Sequence, residues 1–454
     1  MALALFYLIR NWFASLLSWG RFYNFQFQKI SISAIEGILV PTEYADSAKR
    51  ERYRWGQFRK ILKKFSRHNR FYASLLHKRG LNVDAIRMPE DIAMLPILNK
   101  QIMRGLSVAE IISKGINKKR VGIDTTSGST GETFAFALDQ KFSPFLKANF
   151  YRPWRRAGAD PYAPVVNCAG RRLAKATPNT LYLSPERMHL ELEKYAEAIR
   201  KSGARSIRGS PLTNFELVKT LRDSGYLDIS FQYAFLYGST LPAGIRRYFH
   251  EQLGCEAFDM YGLQEFGIVA AECQEHKGMH IFEESFILEI ISEKERVLPS
   301  GEFGTILITT LLNEITPFIR YAPGDRGKII TEPCSCGRTS KRLLLEGRNE
   351  ELLVRPDGAR ISSMAIREIM YKFFNSFERY QVYQPSINHV LFSVMPTRQF
   401  QKQNLEQATQ ELHELLGPSM KLEAKIVASI PFTGKEKFRF IISDISNTDT
   451  YYFS

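Results

Sequence analysis

Only five cysteines occur among 454 residues, which excludes a disulfide-stapled secreted scaffold and fits a reducing, cytoplasmic setting. No stretch of about 20 mostly apolar residues runs uninterrupted, so a spanning helix is not expected. The most hydrophobic stretch, residues 1–19, is broken by Arg10 and Asn11, and it also lacks the basic start and small-residue cleavage site of a secretory signal. Neither internal repeats nor low-complexity tracts are visible, which excludes solenoids and tail-like chains. Acid is in deficit: 47 Asp and Glu stand against 62 Lys and Arg, a net charge of +15. Such an excess calls for an anionic partner, whether nucleotide and coenzyme phosphates, nucleic acid or a membrane surface. Nucleic acid is the weakest of these, because no recognition motif accompanies the charge. The length exceeds what one hydrophobic core supports, so two or more domains are expected.

What is present begins with residues 125–132, Thr-Thr-Ser-Gly-Ser-Thr-Gly-Glu, where five hydroxyls and two glycines lie between apolar segments. Glycine lets backbone approach an anion, and hydroxyls with exposed N–H groups supply donors along a triphosphate. An ordinary solvent-exposed turn has the same composition. It is not a Walker loop, since the Gly-Lys-Ser/Thr ending is missing.

Four further segments follow in order. Tyr261, Gly262 and Glu265 place an aromatic and a carboxylate around a glycine; residues 320–325 end an apolar segment in a turn expected to leave Asp325 exposed; Gly347, Arg348 and Glu350 precede a short strand; and residues 430–437 put Lys435 and Lys437 on a Gly/Pro loop. In this order the five segments resemble the adenylate-forming ligase superfamily, specifically its phenylacetate-CoA ligase-like branch that includes capsule-biosynthesis proteins.

That resemblance covers residues from about 46 onward. It implies an α/β fold, with a large N-terminal α/β domain of several subdomains over residues 46–347 and a small mobile α+β domain over 348–454, after an apolar segment at 1–45. It implies ATP-dependent activation of a small carboxylic acid to an acyl adenylate and transfer of the acyl group, with coenzyme A the expected acceptor. A non-CoA acceptor in cell-surface polysaccharide synthesis and a catalytically degenerate nucleotide-binding scaffold are the alternatives.

A carboxylate attacking a negative α-phosphate needs its charge neutralised and its approach held in line. By the resemblance, Thr126, Ser127, Gly128, Ser129, Thr130 and Gly131 would hold the phosphates, Tyr261 and Gly262 would line the adenine and α-phosphate, and Asp325 would take the ribose hydroxyls. Arg348 would sit at the domain junction. Glu265 would help place Mg²⁺, a hard cation suited to oxygen ligands. Lys437, Glu265 and Thr130 are the expected catalytic residues, with Lys435 able to take the place of Lys437. Gln264 departs from the threonine usual in relatives. The turn of residues 207–211 faces the substrate side in relatives and also reads as an ordinary strand-to-helix turn, while residues 237–242 resemble a turn that packs on adenine and the acyl group.

A second constellation joins Cys273, His276 and His280 to Cys334 and Cys336. Thiolates and an imidazole on separate turns suit tetrahedral zinc, and the resemblance implies a structural Zn²⁺ with His280 favoured over His276. Finally, residues 46–71 interleave ten lysines and arginines with Trp55, Phe58, Leu62 and Phe65 at helical spacing. This basic amphipathic helix is expected to dock on the body of the protein. Its charged face, with residues 1–19 as an interfacial or docking helix, could also lie on anionic lipid at the inner face of the membrane.

Overall fold

Alternation along the central strands decides which of two interiors each side chain enters. In Ser206–Gly209, Tyr233–Tyr237 and Glu256–Leu263, residues Phe235 and Phe258 join one buried cluster, whereas Ile207, Ala234, Leu236 and Ala257 join another. Strands buried on both faces must be covered by helices on both sides. The second cluster is completed by helices Leu192–Ser202, Pro211–Asp223 and Ala243–Leu253, the first by Ser47–His68 and Ser143–Arg156.

The computed structural model describes residues 25–126, 133–168, 179–348, 351–430 and 440–445. Residues 1–19, the hydroxyl-rich residues Ser127, Gly128, Ser129, Thr130 and Gly131, Glu350, and Lys435 and Lys437 therefore lie outside the described residues.

The fold is mixed α/β. Among the described residues, thirteen strands form one sheet. At one end Thr180–Leu183, Val165–Cys168, Ser206–Gly209, Tyr233–Tyr237 and Glu256–Leu263 run parallel, and beyond them the pairing turns antiparallel through Gly267–Ala271 and Met279–Ile281 to Arg342–Arg348 and Asp325–Ile330. A separate hairpin, Val121–Thr125 with Ala135–Asp139, is anchored where Ala137 N donates to Thr316 Oγ1 at 3.0 Å and Asn313 Nδ2 donates to Ala137 O at 2.9 Å.

Ser47–His68 docks as its spacing predicts. Asp46 caps it by accepting from Lys49 N, and Phe58, Ile61, Leu62 and Phe65 are buried in the main core, each contributing roughly 1.5–3 kcal/mol on burial. The helix before it, Phe25–Thr42, contributes Ile32, Ile35, Ile38 and Leu39 to a cluster with Phe142, Phe145 and Leu312. Residues 32–39, which the sequence sets with the apolar N-terminal segment, thus share a core with the large domain. Among the described residues, no helix is long and apolar enough to cross a membrane.

The C-terminal part has its own four-stranded sheet, with Lys421–Ile426, His389–Pro396, Phe377–Ser386 and Ile441–Ser443 in that order, and its own buried cluster beneath helices Ser363–Tyr371 and Lys402–Leu416. It meets the large domain where Glu368 accepts from Ala243 N at 2.6 Å and Phe215 packs edge-on to Tyr371 and Phe374.

Candidate active site

Glu256–Leu263 leaves the parallel part of the sheet and turns back into Gly267–Ala271 with a register shift between Tyr261 and Gly262. The two strands approach so closely there that a Cβ on Gly262 would stand 2.7 Å from Ile268 Cδ1 and 2.8 Å from Gly267 O. Only glycine fits. The shift aims Tyr261 across the sheet, and its hydroxyl donates to Asp325 Oδ2 at 2.8 Å. Arg348 stands opposite Asp325 in the neighbouring strand, its Nε 3.6 Å from Asp325 Oδ1. Asp325 is buried, which corrects the exposed turn expected from its Pro-Gly neighbours: the aromatic and the arginine that cover it come from strands far away in sequence.

Glu265 follows in the same turn and is also buried. Tyr321 donates to its Oε1 at 3.1 Å. Burial raises the Glu265 carboxyl above its usual range, against the opposing pull of the Tyr321 hydroxyl and the Lys100 charge. A carboxylate so incompletely compensated suits a bound cation. The Tyr261 phenol is pushed far up, by burial first and then by Asp325, so it remains a donor.

Tyr321 and Lys100 escaped the sequence reading. Tyr321 looks like an ordinary strand aromatic. It is set by Arg320, which adopts φ 50° and is held by Glu289 at 3.1 Å and by the carbonyls of Ala93 and Leu95. Lys100 opens a short helix capped by Asn99, in a strand turn that runs parallel to Tyr321–Ala322. A Cβ at Gly324 would stand 4.0 Å from its Nζ. The asparagine cap was the available signal, but a cap marks a helix start and says nothing about which site it faces.

Thr126 closes the described part of the hairpin. It exchanges bonds with Phe134, whose N donates to Thr126 Oγ1 at 3.1 Å, and the Phe134 ring lies 6.2 Å from that of Tyr321. Gln264 Nε2 donates to Asp124 Oδ1 at 3.1 Å. Thr126, Tyr261, Gly262, Glu265, Asp325 and Arg348 therefore share one region, on which the hairpin converges.

The cysteine and histidine constellation assembles elsewhere. Ligand atoms of Cys273, His280, Cys334 and Cys336 all lie within 4.8 Å of one another. His280 Nε2 is 3.3 Å from Cys336 Sγ, while its Nδ1 lies 3.0 Å from Ser340 Oγ. Burial, then the Arg156 and Arg338 charges, push His280 down to about 3, so a neutral imidazole faces the thiols. His276 is turned away, with Nδ1 3.1 Å from Glu272 and 2.8 Å from Arg246. The other two cysteines, Cys168 and Cys255, are buried in the sheet region and stand apart from this group. Three thiols and one imidazole at this spacing fit tetrahedral Zn²⁺, and the Ser340 contact supplies the outer bond that orients a ligating histidine.

Comparison with known proteins follows the same division. Residues 353–444 match the family described as the CapK C-terminal domain. A phenylacetate-coenzyme A ligase of Thermus thermophilus is 26% identical over 300 residues, covering 63% of this chain and 67% of that protein. One from Escherichia coli K12 is 26% identical over 326 residues, covering 67% of this chain and 72% of the relative. The crystal structure of 2-hydroxyisobutyryl-CoA ligase in the postadenylation state, in complex with R3-HIB-AMP, superposes with a TM-score of 0.75 at 18% identity, over 91% of this chain and 94% of that one. At that identity it speaks for the fold. The chain is a homologue of the phenylacetate-coenzyme A ligases over about two thirds of its length and shares the fold of the adenylate-forming ligases.

Proposed function

We propose that this chain activates a carboxylic acid with ATP and passes the acyl group to coenzyme A. The acid's carboxylate oxygen attacks the α-phosphorus and pyrophosphate leaves; the coenzyme thiol then attacks the acyl carbon and AMP leaves. The observation that carries this reading is the meeting of Tyr261, Asp325 and Arg348 with Tyr321 and Glu265 beside a hairpin tied in by Gln264 and Asp124.

In this reading Asp325, fixed by Tyr261 and Arg348, accepts from the ribose hydroxyls, as a carboxylate with one oxygen engaged by each partner can. Thr126 and the hydroxyls and N–H groups of Ser127, Gly128, Ser129, Thr130 and Gly131 cradle the phosphates. Lys100 and Lys437, with Lys435 as the alternative, bring positive charge to the leaving side. Glu265 would hold Mg²⁺, which supplies neutralisation of the phosphate oxygens. Cys273, His280, Cys334 and Cys336 would hold a structural Zn²⁺ that braces the loops around residues 273–280 and 334–340.

A second reading keeps the adenylate and changes the acceptor, a hydroxyl or amine in surface-polysaccharide assembly replacing the coenzyme thiol. It is favoured by the match of the C-terminal domain to CapK. Either reaction draws on cytoplasmic ATP, and the basic face of Ser47–His68 with residues 1–19 would let the protein rest on the inner face of a membrane. The test is pyrophosphate release from ATP and Mg²⁺ over a panel of carboxylic acids, with and without coenzyme A. Acid-dependent release that Lys437→Ala slows at least about tenfold is expected; no release with any acid overturns the ligase reading, and release without a coenzyme A product selects the second acceptor.

A further inference from the structure

The helix Ala243–Leu253 begins without a cap of its own. Its N-cap residue is Pro242, which has no side-chain acceptor, and no acid lies in its first turn, so the N–H groups there need partners from outside the helix. One partner comes from the small C-terminal unit: Glu368 Oε1 accepts from Ala243 N at 2.6 Å, across 125 residues of sequence. Glu368 stands three residues before Tyr371 on one side of Ser363–Tyr371, while Ile366 and Met370 enter the small unit's own core. Tyr371 and Phe374 instead pack against the large domain's second cluster, edge-on to Phe215.

Two glycines admit this helix. A Cβ on Gly244 would stand 2.8 Å from Tyr371 Cβ, and a Cβ on Gly347 would stand 2.7 Å from Ser363 Oγ. Gly244 lies inside a helix, where glycine is otherwise unfavourable, so the approach of Tyr371 is what calls for it. Both contacts border the proposed nucleotide site. Gly347 directly precedes Arg348, whose Nε lies 3.6 Å from Asp325 Oδ1. Gly244 follows the turn of residues 238–242, which leaves the sheet beside Tyr261 because Tyr237 is the register partner of Met260. Inside that turn Leu241 N donates to Asp259 Oδ2 at 3.2 Å, two residues before Tyr261 on the same strand. The turn and the helix start after it are thus pinned twice, by Asp259 from the large domain and by Glu368 from the small unit.

We infer that Glu368 is a positioning residue for the nucleotide: docking of Ser363–Tyr371 completes the cap on Ala243–Leu253 and sets the turn of residues 238–242 beside Tyr261, so the chain holds nucleotide more tightly when the small unit is docked. This rests on the adenylate-forming reading for the place of the nucleotide. Removing the cap leaves the docking itself in place, because Arg360 Nη2 lies 2.5 Å from Glu293 Oε1 and the contacts of Phe215 with Tyr371 and Phe374 do not involve Glu368. Such coupling is reciprocal, so bound nucleotide in turn holds the small unit down.

Two readouts on the full chain test this. Calorimetric titration with AMP and with a non-hydrolysable ATP analogue is expected to give a Kd about threefold or more higher in Glu368→Ala, whereas Glu368→Gln, which keeps an acceptor oxygen, stays close to the parent. Hydrogen exchange is expected to show the first amides of Ala243–Leu253 exchanging about tenfold faster in Glu368→Ala, and those of Ser363–Tyr371 slowed about threefold or more by saturating nucleotide in the parent. Gly244→Ala, which displaces Tyr371, should weaken nucleotide binding and speed exchange in both helices. Should that variant fail to fold, Glu368→Ala carries the test, since its bond is exposed and its melting temperature should stay within about two degrees of the parent. Equal nucleotide affinity in the parent and Glu368→Ala, or nucleotide that leaves exchange in Ser363–Tyr371 unchanged, would overturn the inference while acid-dependent pyrophosphate release still upheld the ligase. Affinity lost only in step with a large fall in melting temperature would overturn it too, as a structural role. A parent chain that binds neither nucleotide would overturn the ligase reading and the inference with it.

Discussion

Gln264 donates its side-chain amide to Asp124, a bond that spans 140 residues and pins the loop end of the hairpin Val121–Thr125 and Ala135–Asp139 to the turn carrying Glu265. The bond is thus a structural tie between two segments of the proposed nucleotide site.

Cutting that tie should loosen the nucleotide without harming the fold. The bond is exposed, and a bond of this kind contributes about 0.5–1.5 kcal/mol, so Gln264→Ala should raise the KM for ATP by about three- to tenfold while the melting temperature stays within a degree or two of the parent. Steady-state pyrophosphate release over a range of ATP concentrations reads this directly. An unchanged KM would mean that the hairpin is held by Thr316 and Asn313 alone.

Arg320 should behave quite differently. It is fully buried, holds φ 50°, pairs with Glu289 and donates to two carbonyls that fix the strand leading to Lys100. Removing it leaves the Glu289 carboxylate buried without a counter-charge, a loss of roughly 3–5 kcal/mol. Arg320→Ala should therefore lower the denaturant midpoint strongly, and Glu289→Gln combined with Arg320→Met should recover much of it. A single variant with parental stability would show that Glu289 takes up a proton at no cost.

Acid stability should centre on Glu43. Burial alone would raise its carboxyl, but the guanidinium groups of Arg156, Arg152 and Arg338 outweigh that and hold it far below the usual range. A folded-state value below the unfolded value of about 4.3 contributes stability that is fully present above that pH and is lost as pH falls through the folded value. Melting temperatures of the parent and Glu43→Gln should accordingly lie far apart at neutral pH and draw together below about pH 4. A constant gap across that range would assign the cost of the variant to packing.

The thiol cluster makes a quantitative prediction about metal content. Protein prepared without chelator should carry about one zinc per chain by elemental analysis, with Cys273, Cys334 and Cys336 protected from thiol reagents until a chelator is added. Cys336→Ser or His280→Ala should reduce both metal content and melting temperature, whereas His276→Ala should leave metal content unchanged because that ring faces Glu272 and Arg246. Metal-free protein with unchanged stability would leave the cluster as a packed group of thiols.

Much of the architecture was readable along the chain because it depends on local period. The stripe of Trp55, Phe58, Leu62 and Phe65 predicts a docked helix; Phe58, Leu62 and Phe65 are buried and Trp55 packs half-buried beside them. The α+β character expected of the C-terminal part appears in the strands His389–Pro396 and Lys421–Ile426 and the helix Lys402–Leu416 between them. The reason Gly262 is a glycine was not legible, since the strand crossing that excludes a Cβ there appears only in the folded sheet. Burial at Asp325 was not: its own neighbours, Pro323 and Gly324, signal an exposed turn, and only the arrival of Tyr261 and Arg348 from other strands reverses that.

The sequence by itself carried the resemblance, the α/β class, the docking face of the basic helix and the residue types available for each piece of chemistry, because spacing and side-chain chemistry are properties of the chain. Tertiary structure placed His280 against the thiols, as the resemblance favours, and it alone decided that Asp325 is buried and that Tyr321 and Lys100 stand beside Glu265. Those facts depend on strand register and on burial, which arise from contacts between segments far apart in sequence, and no local pattern encodes them.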